Sequence, residues 1–138
     1  MRGKIFTPDE ANRMLPLVSR IADDIVETYA EVNRALQAYE AAKARAEDDP
    51  AQDIEVRRAD GRVAELIDRF QGLIAEVEAL GATVKDYESG GIDFYGDVDG
   101  EIVYLCWRRG DEHINCWHRL EDGYSKRQPL PEPSTIAG

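Results

Sequence analysis

The stretch His113-Ile114-Asn115-Cys116-Trp117-His118 places three side chains able to ligate a transition metal within six residues. On an extended strand alternate residues share a face, so Cys116 and His118 point one way and His113 the other. One ion can take Cys116 and His118 together, and a divalent transition metal suits that mix of donors. The same residues also read as hydrogen-bonded strand histidines and a buried thiol, because free cysteine commonly packs as a small hydrophobe.

Other reactive residues lie close by. Cys106 would serve as a nucleophile if a base stood beside it and Arg108 lowered its pKa. Asp93 is placed to fix the tautomer of His118. Arg127, in the loop after Gly123, has the planar fork that clamps a carboxylate or phosphate, so a small anion is a candidate ligand; a surface ion pair is the alternative use. Phosphate-loop chemistry is not supported, since Gly90-Gly91 precedes a strand pattern and opens no helix. Asp97-Val98-Asp99-Gly100 lacks the flanking acids of a calcium loop and reads as a turn.

These residues need strands to carry them. After Gly81 the apolar pattern alternates, predicting strands over residues 83–87, 92–95, 101–108 and 113–118. Asp99-Gly100 suits the positive φ angles of a type I′ hairpin turn, and Gly110-Asp111 predicts the next turn. If both turns are two-residue loops, one face holds Ile92, Phe94, Val103, Leu105, Trp107, Ile114, Cys116 and His118. The other holds Asp93, Tyr95, Tyr104, Cys106, Arg108, His113, Asn115 and Trp117. The first is apolar enough to pack on helices. The second, with Trp117 and two tyrosines, reads as a binding surface. In this register His118 lies across the sheet from Cys106, and a one-residue bulge would exchange the faces downstream.

Two helices precede the strands. Thr7-Pro8-Asp9-Glu10 carries a capping box with proline at the first helical position. Met14, Val18, Ile21, Ile25, Tyr29, Val32, Leu36 and Tyr39 follow at spacings of three and four. Pro16 lacks the N–H that would bond back to Asn12, which predicts a kink or a short first helix. Asp48-Asp49-Pro50 ends the run. Val63, Leu66, Phe70, Leu73, Val77 and Leu80 form a second, coiled-coil-like seam, closed by Gly81. Ile67 and Ile74 widen that stripe beyond one partner's reach, which predicts a homodimer. The fold class is α+β: a long antiparallel helical hairpin over residues 7–81, then a small antiparallel β-meander over 82–120 packed on the helices. Residues 121–138 are expected to be a loop and a mobile proline-rich tail, the whole chain 1–138 forming one domain.

Charge narrows the partners. The chain of 138 residues is 43% hydrophobic and 33% charged, with a formal net charge of −11. Residues 101–138 hold five basic and six acidic side chains, against twelve and twenty-two in the first hundred. The acidity therefore belongs to the helices, and the strand region can still receive an anion. A nucleic-acid backbone would be repelled, so no nucleic acid is expected. No apolar run has the roughly 18 residues of a membrane span, and no apolar signal core opens the chain, so no membrane is expected. Two cysteines make no disulfide framework, which points to a reducing, cytoplasmic setting.

The chain resembles the uncharacterised bacterial family catalogued as domain of unknown function 2203. Phe6-Thr7, Ala11-Asn12, Leu15-Pro16 and Val84-Lys85-Asp86 carry the likeness, with Asp93-Phe94 and Val103-Tyr104-Leu105-Cys106-Trp107-Arg108. Gly110, Trp117-His118, Gly123 and Arg127 complete it; His113 and Cys116 lie outside it. The resemblance implies the same helix-pair-plus-β layout and no activity. The expected function is an interaction protein, self-associating through its hairpin, with a small-ligand or anion site at Asp93, Arg108, Trp117, His118 and Arg127. The alternative is a metal-binding protein or metal-dependent enzyme centred on His118, with Cys116 as second ligand.

Overall fold

The structure, a computed structural model, describes residues 4–130. Helix α1 runs unbroken over Pro8–Asp48 and α2 over Asp53–Ala79, joined by a single 3-10 turn at Pro50–Gln52. Five strands follow: β1 (Ala82–Asp86), β2 (Gly91–Val98), β3 (Glu101–Arg108), β4 (Cys116–Arg119) and β5 (Gln128–Pro129). They form one antiparallel sheet in sequence order, the expected meander with one strand more. At 1.5 Å per residue the helices are about 62 and 40 Å long.

Local chemistry sets the helix ends. Thr7 Oγ1 accepts from the Glu10 N–H at 3.1 Å while Glu10 Oε1 accepts from the Thr7 N–H at 2.8 Å. The helix continues through Pro16, so the short first helix allowed by the sequence does not form. Long stretches buried on both sides of the proline hold the helix across the missing bond: Ala11, Leu15, Val18, Ala22 and Ile25 all sit in the core. Gly81, at φ +93°, ends α2, its N–H bonded to the Glu78 carbonyl at 3.0 Å.

The core lies between the helices and one sheet face. Ile21, Ile25 and Val77 meet Ile92, Phe94, Val103, Leu105 and Trp107 there, and a second, smaller cluster of Val32, Ala35, Val63 and Leu66 holds the far part of the hairpin. Phe6 docks beside β2, its N–H and carbonyl bonded to Tyr95 and Asp97 at 2.8 and 3.0 Å, and its ring meets Phe94 edge-on at 5.2 Å.

The β2–β3 hairpin has the expected two-residue loop, with Val98 opposite Glu101 and positive φ at Asp99 and Gly100. The β3–β4 connection does not. A Gly110-Asp111 loop would put Cys106 opposite Asn115, whereas Cys106 stands opposite Cys116. The cause is visible at the end of β3. Asp111 takes both the Arg108 N–H, through Oδ2 at 3.1 Å, and the Trp107 indole N–H, through its carbonyl at 2.9 Å. The chain then leaves the sheet so that Ile114 can enter the core, its N–H bonded to Asn12 Oδ1 at 2.7 Å. This one-residue shift exchanges every side chain of β4 between faces. His118 and Cys116 therefore join Asp93, Tyr104 and Cys106, and Trp117 turns toward the core opposite Leu105.

The segment after residue 120 is also more regular than expected. Tyr124–Lys126 forms a 3-10 turn, and Gln128–Pro129 pairs with β4. Proline can sit there because β5 is an edge strand and needs no N–H at that position. Residues 131–138 of the expected tail lie outside the described residues.

Candidate metal and anion site

Two cross-strand rows build the site on the sheet face turned away from the core. Asp93, Cys106 and Cys116 stand opposite one another on β2, β3 and β4, and Tyr95, Tyr104 and His118 form the next row. Directly opposed residues share a face with Cβ atoms about 5 Å apart, and diagonal neighbours remain within reach of long side chains. His118 uses that reach: its Nε2 lies 3.5 Å from Asp93 Oδ2. Cys106 Sγ completes a cluster in which one donor atom from each residue lies within 4.8 Å of the others. All three are buried, at 6%, 1% and 5% exposure for Asp93, Cys106 and His118.

The other edge of the imidazole is fixed. Nδ1 lies 2.9 Å from the Arg119 carbonyl oxygen, which can only accept, so Nδ1 carries the hydrogen. Nε2 is thereby the nitrogen offered to the cluster. A carbonyl on the far nitrogen is the support that metal-bound histidines usually have. Two ligands bonded at about 2.0–2.1 Å around a tetrahedral ion stand roughly 3.3 Å apart. The His118–Asp93 separation fits that spacing with little movement.

Electrostatics disfavour negative charge on Asp93 and Cys106. Burial raises the Asp93 carboxyl above its ordinary value of 3.8, against the pull of Cys106, His118 and Lys85. The Cys106 thiol is pushed far up by its hydrogen bond to Cys116, then by burial and by the charge of Asp93. Cys116 shifts down, chiefly because Cys106 hydrogen-bonds to it and also because Arg127 is near. Asp93 and Cys106 thus share a pocket in which two negative charges are costly. A divalent cation is the natural compensation.

Above His118 and Asp93 opens a cavity of about 360 Å³ bordered by Lys85, Tyr104, Arg108, Asp122 and Tyr124. Arg108 crosses the sheet over Gly91, where a Cβ would strike its guanidinium, and reaches within 3.8 Å of Asp86. Asp86 is held below the usual carboxylate value, first by the Ser89 hydroxyl and then by the Glu88 and Ser89 N–H groups. Arg108 also stacks 4.0 Å from the Tyr124 ring, and Lys85 lies 4.4 Å from the Tyr104 ring. The mouth therefore carries two cations beside Asp122, and the floor Asp93 and His118, with Cys106 beside them in the cluster.

Of the residues singled out from sequence, Asp93, Arg108 and His118 come together here. Trp117 packs against the core instead, with Arg119 5.8 Å from its ring. Arg127 stacks on Tyr124 at 4.3 Å but borders a neighbouring cavity with Cys116, Ser125 and Gln128. Cys106, in place of Cys116, is the thiol that joins His118, and His113 lies in the β3–β4 connection. Lys85 and Tyr124 were not legible as site residues, and Tyr104 only as part of a sheet face that reads as a binding surface. Only a correct register across β3 and β4 would have put Tyr104 beside His118.

No curated protein and no solved structure matches the chain. The family model described as uncharacterized conserved protein (DUF2203) matches residues 4–130, which is every residue of the helical hairpin and the sheet, and the chain belongs to that family.

Proposed function

We propose that this protein binds a divalent transition metal, Zn²⁺ fitting best, through Asp93 carboxylate, Cys106 thiolate and His118 Nε2. The observation that carries the reading is the buried convergence of these three donors within 4.8 Å, with His118 Nδ1 tied to the Arg119 carbonyl. An oxygen, a sulfur and a nitrogen donor together suit zinc, and three protein ligands leave a fourth position open. Asp93 and His118 border the cavity that Lys85 and Arg108 also line, which favours water or the oxygen of a small anionic ligand as the further ligand. Zinc held by these residues would supply a Lewis acid to such a ligand.

The test is zinc titration of the chelator-stripped protein, read by elemental analysis. One zinc per chain is expected, and a folded His118→Gln protein should take up none. A wild-type protein that stays zinc-free, or a folded His118→Gln protein that binds as well, overturns the reading.

A second reading concerns the hairpin, for which we propose pairing of two copies. Tyr29, Val32, Ile67, Phe70, Ile74 and Tyr87 border an open apolar groove of about 540 Å³ along its flank. Ile67 remains 37% exposed there, the surplus that a second hairpin would cover.

A further inference from the structure

We infer that Cys106 and Cys116 form a redox-active dithiol that closes to an intrachain disulfide. The two cysteines are direct cross-strand partners on β3 and β4, both are free, and the Cys116 thiol lies 3.9 Å from the Cys106 carbonyl oxygen. The Leu130 N–H bonds to the Asn115 carbonyl at 2.9 Å, so Asn115 directs its peptide groups toward β5. Alternation along the strand then turns those of Cys116 toward β3, which makes Cys106 and Cys116 a hydrogen-bonded pair with Cα atoms about 5.5 Å apart. Disulfides form across Cα separations of roughly 4.4–6.8 Å, which this pair meets. Its Cβ atoms, about 5 Å apart, must draw in to about 4.5 Å, and the strain of that closure keeps the bridge readily reducible.

Access comes from one side. Cys116 borders the cavity of about 450 Å³ with Asn115, Ser125, Arg127, Gln128 and Pro129, under the two-residue edge strand β5. Cys106 lies deeper, 1% exposed against 7% for Cys116; Cys116 is therefore the attacking sulfur. The oxidant is a low-molecular-weight disulfide. Cys116 thiolate attacks one of its sulfurs, forming a mixed disulfide and expelling one small thiolate. Cys106 sulfur then attacks the Cys116 sulfur and expels the second small thiolate. The two protein thiol protons end on the two small thiols, so the dithiol loses two electrons and the small disulfide gains them.

Closure has a consequence that rests on the metal reading above. A disulfide sulfur has no thiolate to give, so Cys106 would cease to be a ligand and the oxidised protein would release its metal. Cys116 is thus a residue outside the ligand set that governs its occupancy.

The experiment treats the metal-free full chain with oxidised glutathione, then alkylates it in denaturant and measures intact mass. The expected product has lost two hydrogens, resists alkylation at both cysteines, yields a peptide linking 106 to 116, and reverts with dithiothreitol. Cys116→Ser should form no such bridge. Two alkylatable thiols after treatment, or glutathione retained on the wild-type chain without closure, would overturn the dithiol. Zinc uptake by the reduced protein is read separately. Bridge formation without zinc binding leaves the dithiol standing and removes the metal site, and zinc binding without a bridge does the reverse. Where both occur, the oxidised protein should bind at least tenfold less zinc than the reduced one, and Cys116→Ser should bind zinc equally before and after glutathione treatment. Equal zinc binding by the oxidised and reduced wild type would overturn the coupling.

Discussion

Asp93 and His118 belong to β2 and β4, two strands that never pair, yet their side chains meet at 3.5 Å across the intervening β3. Both are buried, and the residue of β3 beneath them is Cys106. The contact is diagonal, Asp93 lying in the row of Cys106 and His118 in the row of Tyr104. It gives the molecule a carboxylate–imidazole pair whose properties can be measured without knowing a ligand.

The first prediction follows from the raised Asp93 carboxyl. A folded-state value above the ordinary 3.8 means that the fold favours the protonated form. That contribution is fully present below 3.8 and is lost as pH rises through the folded value. Asp93→Asn stays neutral and keeps its stability over that window. Urea melts of the metal-free proteins should therefore show the difference moving in favour of Asp93→Asn between pH 3.5 and 7. A constant difference across that range would mean that burial does not penalise the carboxylate.

Zinc uptake should in turn release protons. Cys106 is held protonated in the metal-free protein and must be a thiolate to bind, so titration in weakly buffered solution should acidify it. Saturation at a hundred times the dissociation constant should stabilise the fold by about 2.7 kcal/mol, and chelation should reverse it. Thermal melts with and without chelator read this directly.

Thr28 offers a test of the helix packing. It is fully buried on α1 and its hydroxyl has no hydrogen-bond partner. Thr28→Val keeps the shape and removes the stranded oxygen, so it should stabilise the protein by about 1 kcal/mol. A clear loss of stability would show that the hydroxyl is satisfied in solution.

The phase of α2 is testable through two neighbours. Val77 is fully buried beneath the sheet while Glu78 is exposed. Val77→Ala should cost about 1.5–3 kcal/mol, and Glu78→Ala less than about 0.5. Leu73, a seam position by sequence, is only half-buried, so Leu73→Ala should cost less than a fully buried leucine would.

Pairing of hairpins predicts a dimer in sedimentation equilibrium at micromolar concentration. Ile67→Glu, in the exposed part of the groove, should shift the population to monomer while leaving helicity unchanged. A wild-type protein that sediments as a monomer would rule the pairing out.

Local patterns were readable wherever the deciding contact lies within a few residues. Thr7, Pro8 and Glu10 cap α1 across three positions, Gly81 stops α2 by its own backbone freedom, and Asp99-Gly100 turns β2 directly into β3. The strand Glu101–Arg108 and the acidic hairpin follow from composition and period in the same way. Alternation assigns faces within a strand but says nothing about which face meets which on the next one. That choice passed to Asp111, which closes off the end of β3, and to Asn12, which holds Ile114 from 102 residues away. The sequence by itself determined that Asp93, Cys106 and His118 lie on strands; only the tertiary structure put them on one face. The physical reason is that a single-residue shift in register inverts a whole strand, and the contact that sets the shift here is between α1 and the loop before β4.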